Sequence, residues 1–214
     1  MRLYFSPLAC SLATRITLYE AGVEATFVEV DPRAKRTDDG RDYRTVHPLA
    51  LVPVLETNEG ERLYENAAIL QYLAASHPAA KLAPVEGLAH ARLTQWLSFI
   101  GTELHKALFV PLLDPAAPEA VRTYALAKGP SRLGWLADEL GTRPFLLDAF
   151  SVADAYLVAV LNWTAVVPVA LSDYPALAAY HRRLLERPSV ARAVSEERGL
   201  YAREQAALRA QAAR

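Results

Sequence analysis

The chain has almost no cysteine, since Cys10 is the only one among its 214 residues. An intramolecular disulfide is therefore impossible, and a metal site built from several thiolates is excluded by the count alone. Chains without disulfides are typical of a reducing compartment, so we expect a cytoplasmic protein.

The sequence also lacks an excess of either charge and any long apolar run. Lys and Arg number 23 against 24 Asp and Glu, and proteins that bind a phosphate backbone usually carry a basic excess. No stretch of about 18 residues is free of polar groups, and residues 1–7 contain no apolar signal segment. We therefore expect neither nucleic acid nor a membrane as a partner. A hydrophobic content of 52% is enough to build a large core.

The first part of the chain alternates short strands and helices. Residues 3–5 and 27–30 are apolar runs, and between them residues 11–21 show the spacing of one helical face. Strand, helix and strand in this order predict a βαβ unit with parallel strands. The polar segment 31–47 is predicted to be exposed and irregular, as binding loops often are.

A hairpin and a helix are predicted next. Residues 52–56 and 62–64 flank a turn, and Glu65-Asn66 is placed to cap a helix that ends at His77. The pattern thus predicts a βαβ-ββα domain over residues 1–77, followed by a linker at 78–87.

Everything from residue 88 to residue 214 is predicted to be helical. One amphipathic helix spans 93–108 and is expected to stop at the prolines that begin with Pro111, and a second runs from about 119 to 140 with a kink or break at Gly129-Pro130. Ser151 and Asp154 have the spacing of a capping box. A further helix is predicted over 174–187, and the segment from Ser195 onward is either a surface helix or a frayed tail.

Cys10 is the first candidate for chemistry. It lies between the first strand and the first helix, where free amides and the helix dipole favour an anion and lower the pKa of a thiol. The alternative is a small buried residue without a chemical role. No second cysteine forms a C-x-x-C motif, which excludes a dithiol oxidoreductase, although a single thiolate can still form a mixed disulfide. Ser11 is either a hydrogen-bond donor to a sulfur anion or an ordinary helix cap.

Val52-Pro53 is the second candidate. Proline cannot donate to a strand ladder, and a cis bond before it would turn the backbone groups of Val52 outward, free to pair with an extended ligand.

Five motifs together resemble one family. They are YFSPLACSL at 4–12, VPVL at 52–55, ENAAILQYL at 65–73, ELHK at 103–106 and FSVADAYL at 150–157. This chain resembles the cytosolic glutathione S-transferases, and most of all their bacterial beta class. The resemblance implies a thioredoxin-like amino-terminal domain, an all-helical carboxy-terminal domain and a homodimer.

The resemblance also implies a set of site residues. The implied catalytic residues are Cys10, Ser11 and His105. The implied glutathione-binding residues are Cys10, Lys35, Leu51, Val52, Pro53, Glu65, Asn66, Ser98, Glu103, His105 and Lys106, with Ser98 and Glu103 reaching the site of the partner subunit. Apolar candidates for an electrophile pocket are Phe109, Leu112 and Trp163.

Some of these implied roles have alternatives in the sequence. Lys35 is the cation expected for the glycyl carboxylate of glutathione, yet Arg33 and Arg36 are close enough to replace it. Glu65 and Asn66 would hold the γ-glutamyl end, or cap a helix only. Leu51 stands where the family usually has a polar residue, which removes one expected contact to glutathione.

The implied activity is conjugation of the glutathione thiolate to small hydrophobic electrophiles, with glutathione as cosubstrate and with no metal or other cofactor. Two alternatives use the same fold. In one, Cys10 forms a mixed disulfide and the protein is a thiol transferase, a dehalogenase or a peroxidase. In the other, the protein is a non-catalytic dimeric binding module.

Overall fold

A five-stranded mixed sheet forms the amino-terminal part of the protein. The computed structural model describes residues 1–212, so the last two residues of the predicted helical domain lie outside it. Strand β1 (Arg2–Phe5) and strand β2 (Thr26–Asp31) run parallel, with Leu3 opposite Phe27, and helix α1 (Leu12–Glu20) connects them. The predicted βαβ unit is therefore confirmed.

The rest of the sheet is antiparallel. Strand β3 (Arg36–Thr37) adds to the outer edge of β2, while β4 (Val54–Glu56) pairs with β1 and β5 (Arg62–Leu63) pairs with β4. The strand order is thus β3-β2-β1-β4-β5. Helix α2 (Asn66–Ser76) follows the hairpin and completes the predicted order of elements.

The segment 31–47 is more ordered than its composition indicates. It contains β3 and a 3-10 turn at Tyr43–Thr45. Tyr43 is fully buried, with its ring 5.7 Å from that of Tyr4, and Val46 is buried beside it. Most of the segment is exposed as predicted, but it is not irregular, because Tyr43 is an aromatic anchor that packs on the sheet.

A long, continuous helix opens the second part of the chain. After a 3-10 turn at Pro78–Ala80, helix α3 (Gly87–Phe99) passes into a π-helical segment, Ile100–Phe109, and then into α4 (Val110–Leu113). Pro111 lies within α4, so the helix does not stop there; it ends at Leu113, before Pro115. Residues 103–106 therefore lie on a π-helix, a form often found at functional sites.

Four more helices complete the carboxy-terminal part. Helix α5 (Glu119–Leu140) passes through Pro130 without a break in its helical assignment, and α6 (Val152–Leu161) is buried along its whole length. Short 3-10 turns at Asn162–Ala165 and Leu171–Asp173 lead to α7 (Pro175–Leu185) and α8 (Pro188–Ala212).

The capping box at the start of α6 is present as predicted. The carboxylate of Asp154 accepts hydrogen bonds from the backbone N–H of Ser151 and of Leu146, each at 2.9 Å, and from the hydroxyl of Tyr180 at 2.6 Å. The Ser151 hydroxyl donates to it as well. Asp154 is fully buried, and burial raises the pKa of its carboxyl group. This cluster ties α6 to α7 and to the preceding loop.

Helix α8 is longer and more buried than the sequence indicates. It begins at Pro188 rather than near Ser195, and it packs along α1. Glu197 is fully buried, and its two carboxylate oxygens lie 2.9 Å from Nε of Arg15 and 2.7 Å from the backbone nitrogen of Leu8. The Arg15 guanidinium is stacked between the rings of Phe5 and Phe27. From Ser195 onward the chain is thus a surface helix rather than a frayed tail, with Glu197 as its buried residue among those described.

One hydrophobic core crosses from the first part of the chain into the second. Residues of α1, among them Leu12 and Ile16, belong to the same buried cluster as α6 and the long helix that begins with α3. The division at residues 77 and 88 therefore stays a prediction from sequence. None of the described helices has both the length and the apolar composition needed to cross a membrane.

Candidate active site

Cys10 lies in the turn between β1 and α1, and its thiol is buried. The side chain is 8% exposed, and Sγ donates to the backbone carbonyl of Val52 at 3.4 Å. Burial raises the pKa of the Cys10 thiol to about 12, and the positive charge of Lys106 only partly opposes this. The cost of burying a thiolate therefore exceeds the stabilisation that the free amides and the dipole at the start of α1 would give it. We therefore expect the Cys10 thiol to be protonated at neutral pH.

The peptide bond between Val52 and Pro53 is cis. Pro53 is buried and Val52 is half-buried, while the carbonyl before them, that of Leu51, accepts a hydrogen bond from the Tyr43 hydroxyl at 2.9 Å. The buried ring of Tyr43 therefore holds this loop against the sheet, next to Cys10.

His105 stands at the end of the same region, on the π-helical segment. Its Nδ1 lies 2.7 Å from the hydroxyl of Tyr156 on α6, and its ring centroid is 5.0 Å from that of Trp163. Burial, together with the positive charge of Lys106, lowers the pKa of His105 to about 4. The imidazole is therefore neutral at physiological pH.

A cleft of about 460 Å³ connects these groups. Cys10, Val52 and His105 all line it. Most of its wall is apolar, and a polar rim comes from α8 and from the loop after β2. The apolar lining includes Leu8, Val110, Leu113, Trp163 and Val166, and the rim includes Arg33, Arg198, Tyr201, Glu204 and Gln205.

A strained loop carries part of this wall. Leu8 has a φ of 60°, which is unfavourable for a side chain with a Cβ. Its backbone carbonyl accepts from Nε1 of Trp163 at 2.9 Å, and its backbone N–H donates to Glu197. Trp163 and Glu197, which are distant from each other in sequence, therefore bind the two backbone groups of Leu8 and hold the loop that leads to Cys10.

A second cavity, of about 570 Å³, lies between the linker and the ends of α3 and α5, with Lys81, Trp96 and Phe150 in its wall. Neither Cys10 nor His105 lines it. The chemistry-bearing side chains thus point to the smaller cleft.

Comparison with known proteins identifies the family. The family models for the N-terminal and the C-terminal domain of glutathione S-transferases match residues 1–75 and 111–183. Glutathione S-transferase GstA of Escherichia coli O157:H7 is 40% identical over 199 residues, which cover 92% of this chain and 98% of that protein. The chain belongs to the glutathione S-transferase family.

Solved structures agree with this assignment. A ternary complex of BphK, a bacterial member of the family, is 42% identical, with a TM-score of 0.89 over 92% of this chain and 99% of its own. A sphingomonad transferase complexed with glutathione is 44% identical, with a TM-score of 0.87 over 92% and 98%. The beta-class transferase of Sphingomonas chungbukensis is 43% identical, with a TM-score of 0.88 over the same shares. The predicted fold and transferase family are confirmed.

Within this transferase fold, Ser11 does not reach the cleft. It is fully buried, and its hydroxyl donates to the backbone carbonyl of Ser6 at 3.2 Å. It makes no side-chain cap on α1 either. The capping interpretation of Ser11 is therefore wrong, because its hydroxyl ties the start of α1 back to the end of β1. Its role as a donor to a sulfur anion stays a prediction.

Glu65 and Asn66 differ in burial: the side chain of Asn66 is buried and that of Glu65 is exposed. Neither side chain caps α2, in contrast to the capping interpretation. Asn66 is buried, where its amide accepts from the Thr14 hydroxyl and donates to the backbone carbonyl of Cys10, both at 3.0 Å. The side-chain amide of Asn66 is thus used within the protein, and a contact of Asn66 with the γ-glutamyl end stays a prediction. Glu65 is exposed and has a φ of 64°, so its carboxylate is accessible to a ligand.

The two apolar pocket candidates on the long helix do not line this cleft. Phe109 is fully buried against Trp163, with ring centroids 5.8 Å apart, and Leu112 packs on the core. The neighbours Val110 and Leu113 line the cleft instead. The cause is helical rotation, since one position along a helix turns a side chain by about a quarter of a turn or more.

Three further predicted glutathione ligands stand away from the cleft wall. Lys35 is half-buried in the loop before β3, and Ser98 is exposed on α3. Glu103 forms an ion pair with Arg132 at 2.6 Å. Their roles in binding stay predictions.

Sequence reasoning missed two contributions to the site. Tyr156 lies in the FSVADAYL motif, but only its place beside His105 shows a role beyond the core. The rim residues of α8, such as Arg198 and Tyr201, follow an apolar i, i+3, i+4 pattern at Val190, Ala193 and Val194, which could have predicted a packed helix.

Proposed function

We propose that this transferase conjugates the thiol of glutathione to small hydrophobic electrophiles, as a cytoplasmic homodimer. The observation that carries the proposal is a largely apolar cleft lined by Cys10, Val52 and His105 together. The proposal needs glutathione as cosubstrate and no metal or other cofactor.

Glutathione would lie along the backbone of Val52. The Val52 carbonyl is an acceptor that the Cys10 thiol uses in the ligand-free protein. An extended peptide pairs with such backbone groups, so the cysteinyl N–H of glutathione would take this carbonyl. Glu65 is accessible for the ammonium of the γ-glutamyl end, and Lys35 stays the proposed partner of the glycyl carboxylate.

The reaction requires a thiolate. The glutathione thiol releases its proton to solvent, and its sulfur attacks the electrophilic carbon. In a substitution the leaving group departs with its bonding electrons. In an addition to a double bond the resulting carbanion takes up a proton. The exposed ammonium of Lys106 is close enough to lower the pKa of Cys10, and it would favour an anion at the neighbouring sulfur in the same way. His105 and Cys10 are both neutral donors to that sulfur.

The electrophile would rest on the apolar wall formed by Leu8, Val110, Leu113 and Trp163. A site of this kind acts mainly by proximity, since it holds the carbon next to the sulfur.

The alternatives that use Cys10 as the nucleophile fit the geometry less well. They need a Cys10 thiolate, and burial raises the pKa of this thiol to about 12. A protonated thiol is a poor nucleophile but a good hydrogen-bond donor, so Cys10 fits a supporting role beside the glutathione sulfur.

The test is a titration of the protein with glutathione near neutral pH, monitored by the ultraviolet absorbance of the thiolate. We expect a bound thiolate, and we expect less of it in His105→Ala. His90→Ala is the matched control, because His90 lies at the start of the long helix with its Nδ1 at the carbonyl of Pro84. An absence of thiolate at saturating glutathione would refute the mechanism, and light scattering tests the dimer separately.

A further inference from the structure

Tyr156 is a buried phenol that touches the imidazole of His105. It lies on α6, is 3% exposed, and its hydroxyl oxygen is 2.7 Å from Nδ1 of His105. Helix α6 is buried along its length between the two parts of the chain, so this contact is held rigidly. In this hydrogen bond between two buried neutral groups, one group is the donor and the other is the acceptor.

Which group donates follows from the protonation states of Tyr156 and His105. Burial raises the pKa of Tyr156 well above that of a free phenol, so the hydroxyl keeps its proton, and the nearby amide of Asn66 only partly opposes this. Among the described residues, Nδ1 of His105 is the only hydrogen-bond partner of the Tyr156 hydroxyl, so it is the acceptor on hand for the phenol proton. His105 is neutral, and a neutral imidazole has one N–H and one acceptor nitrogen. The phenol O–H therefore donates to Nδ1.

The remaining proton of the ring must then be on Nε2. This nitrogen has no hydrogen-bond partner among the described residues, and it is not among the fully enclosed side-chain atoms that lack a partner. His105 lines the cleft. The accessible face of Nε2 is consequently the one that borders the cleft, and it presents an N–H donor there.

We propose that Tyr156 is a positioning residue that fixes His105 as the Nε2–H tautomer, so that the imidazole donates a hydrogen bond to the glutathione sulfur. The part about glutathione rests on the proposed function. Without the phenol, either ring nitrogen could carry the proton, and the Nδ1–H form would present an acceptor lone pair to a sulfur anion. Such a tautomer repels the anion that it should stabilise.

The first measurement is made without ligand. Nitrogen-15 NMR of the histidine ring shows which nitrogen is protonated, and we expect Nε2 in the unmutated protein and a mixture of tautomers in Tyr156→Phe. Protonation at Nδ1 in the unmutated protein would overturn the inference on its own, even if the variant did not fold. An unchanged tautomer in a folded Tyr156→Phe would overturn it as well.

The second measurement is kinetic. Loss of one hydrogen bond that matters in the transition state is expected to lower kcat by about 3- to 10-fold in Tyr156→Phe. The KM for glutathione should change little, because Tyr156 does not touch the peptide. Unchanged kcat together with a raised KM would refute the positioning role.

Tyr180→Phe is the matched control. It removes another buried phenol from the helical part of the chain, one that donates to Asp154 at 2.6 Å. We expect a lower melting temperature, with the His105 tautomer and kcat unchanged. A control that lowers kcat as much as Tyr156→Phe would show a general packing effect and refute the inference. If the unmutated protein did not bind glutathione, the proposed function would fail, a result distinct from the tautomer measured in the free protein.

Discussion

Alkylation of Cys10 is the most direct test of the electrostatics of the site. An ordinary cysteine, with a pKa of about 8.5, is roughly 10% thiolate at about pH 7.5. Burial raises the pKa of Cys10 to about 12, which lowers that share to about 3 in 100,000. Because the thiolate is the reacting form, alkylation should be roughly 3,000-fold slower than for a free thiol, apart from any further loss through restricted access.

The assay follows the reaction with iodoacetamide by intact-protein mass spectrometry, from about pH 6 to about pH 10. The position of the pH profile reports the pKa and does not depend on access, since burial scales all rates alike. We expect the rate to rise through the whole range without a plateau. Lys106→Ala should lower the rate further, because the charge of Lys106 lowers the pKa of Cys10. Lys128→Ala, which removes a cation that contacts Tyr124, should leave the rate unchanged.

A plateau below about pH 9 would refute this reasoning. It would show that the helix start and Lys106 outweigh desolvation, and it would restore the alternatives in which Cys10 itself attacks a disulfide or a carbon–halogen bond.

Three other predictions concern stability and the cleft. Asp154→Ala should lower the free energy of unfolding by about 3 to 5 kcal/mol in urea denaturation, because it leaves several buried donors without an acceptor; a loss below about 1 kcal/mol would contradict this. Burial raises the pKa of Glu197 to about 7, so the folded state holds a proton that the unfolded state has lost. Stability should therefore fall by about 3 kcal/mol as the pH rises from about 4.5 to about 7. Urea denaturation across this range should show that decline in the unmutated protein and a flatter profile in Glu197→Gln. Leu113→Ala should raise the KM of an apolar electrophile several-fold, because Leu113 lines the cleft. Leu112→Ala should instead mainly lower the melting temperature, because Leu112 packs on the core. Equal effects of the two variants on KM would contradict the placement of Leu113 in the cleft wall.

The order of the elements could be predicted because it depends on local patterns. The strands of the βαβ unit and the hairpin are short apolar runs between turn residues, and the capping box of Ser151 and Asp154 is encoded in four consecutive positions. The extent of α8 could not be predicted as easily. Its Ala, Arg and Glu content describes an exposed helix, and only packing on α1 shows that Glu197 is buried as the partner of Arg15.

In the candidate site too, some residues could be placed from sequence and others could not. Cys10 and Val52 could be placed from sequence because they flank the start of an element. Ser11 and Asn66 are polar and adjacent to the cleft in sequence, yet both serve internal hydrogen bonds, which depends on the direction of a side chain in space. Phe109 and Leu112 pack on the core while their neighbours Val110 and Leu113 line the cleft, and this too depends on the direction of each side chain around the helix.

The core that α1 shares with the carboxy-terminal helices has a consequence for how the protein denatures. Leu12 and Ile16 are fully buried in a cluster that continues into α6, so the first part of the chain would expose them if it stood alone. The two parts should therefore melt in a single cooperative transition. A fragment of residues 1–77 should aggregate rather than fold, because it would present an apolar helix face to water.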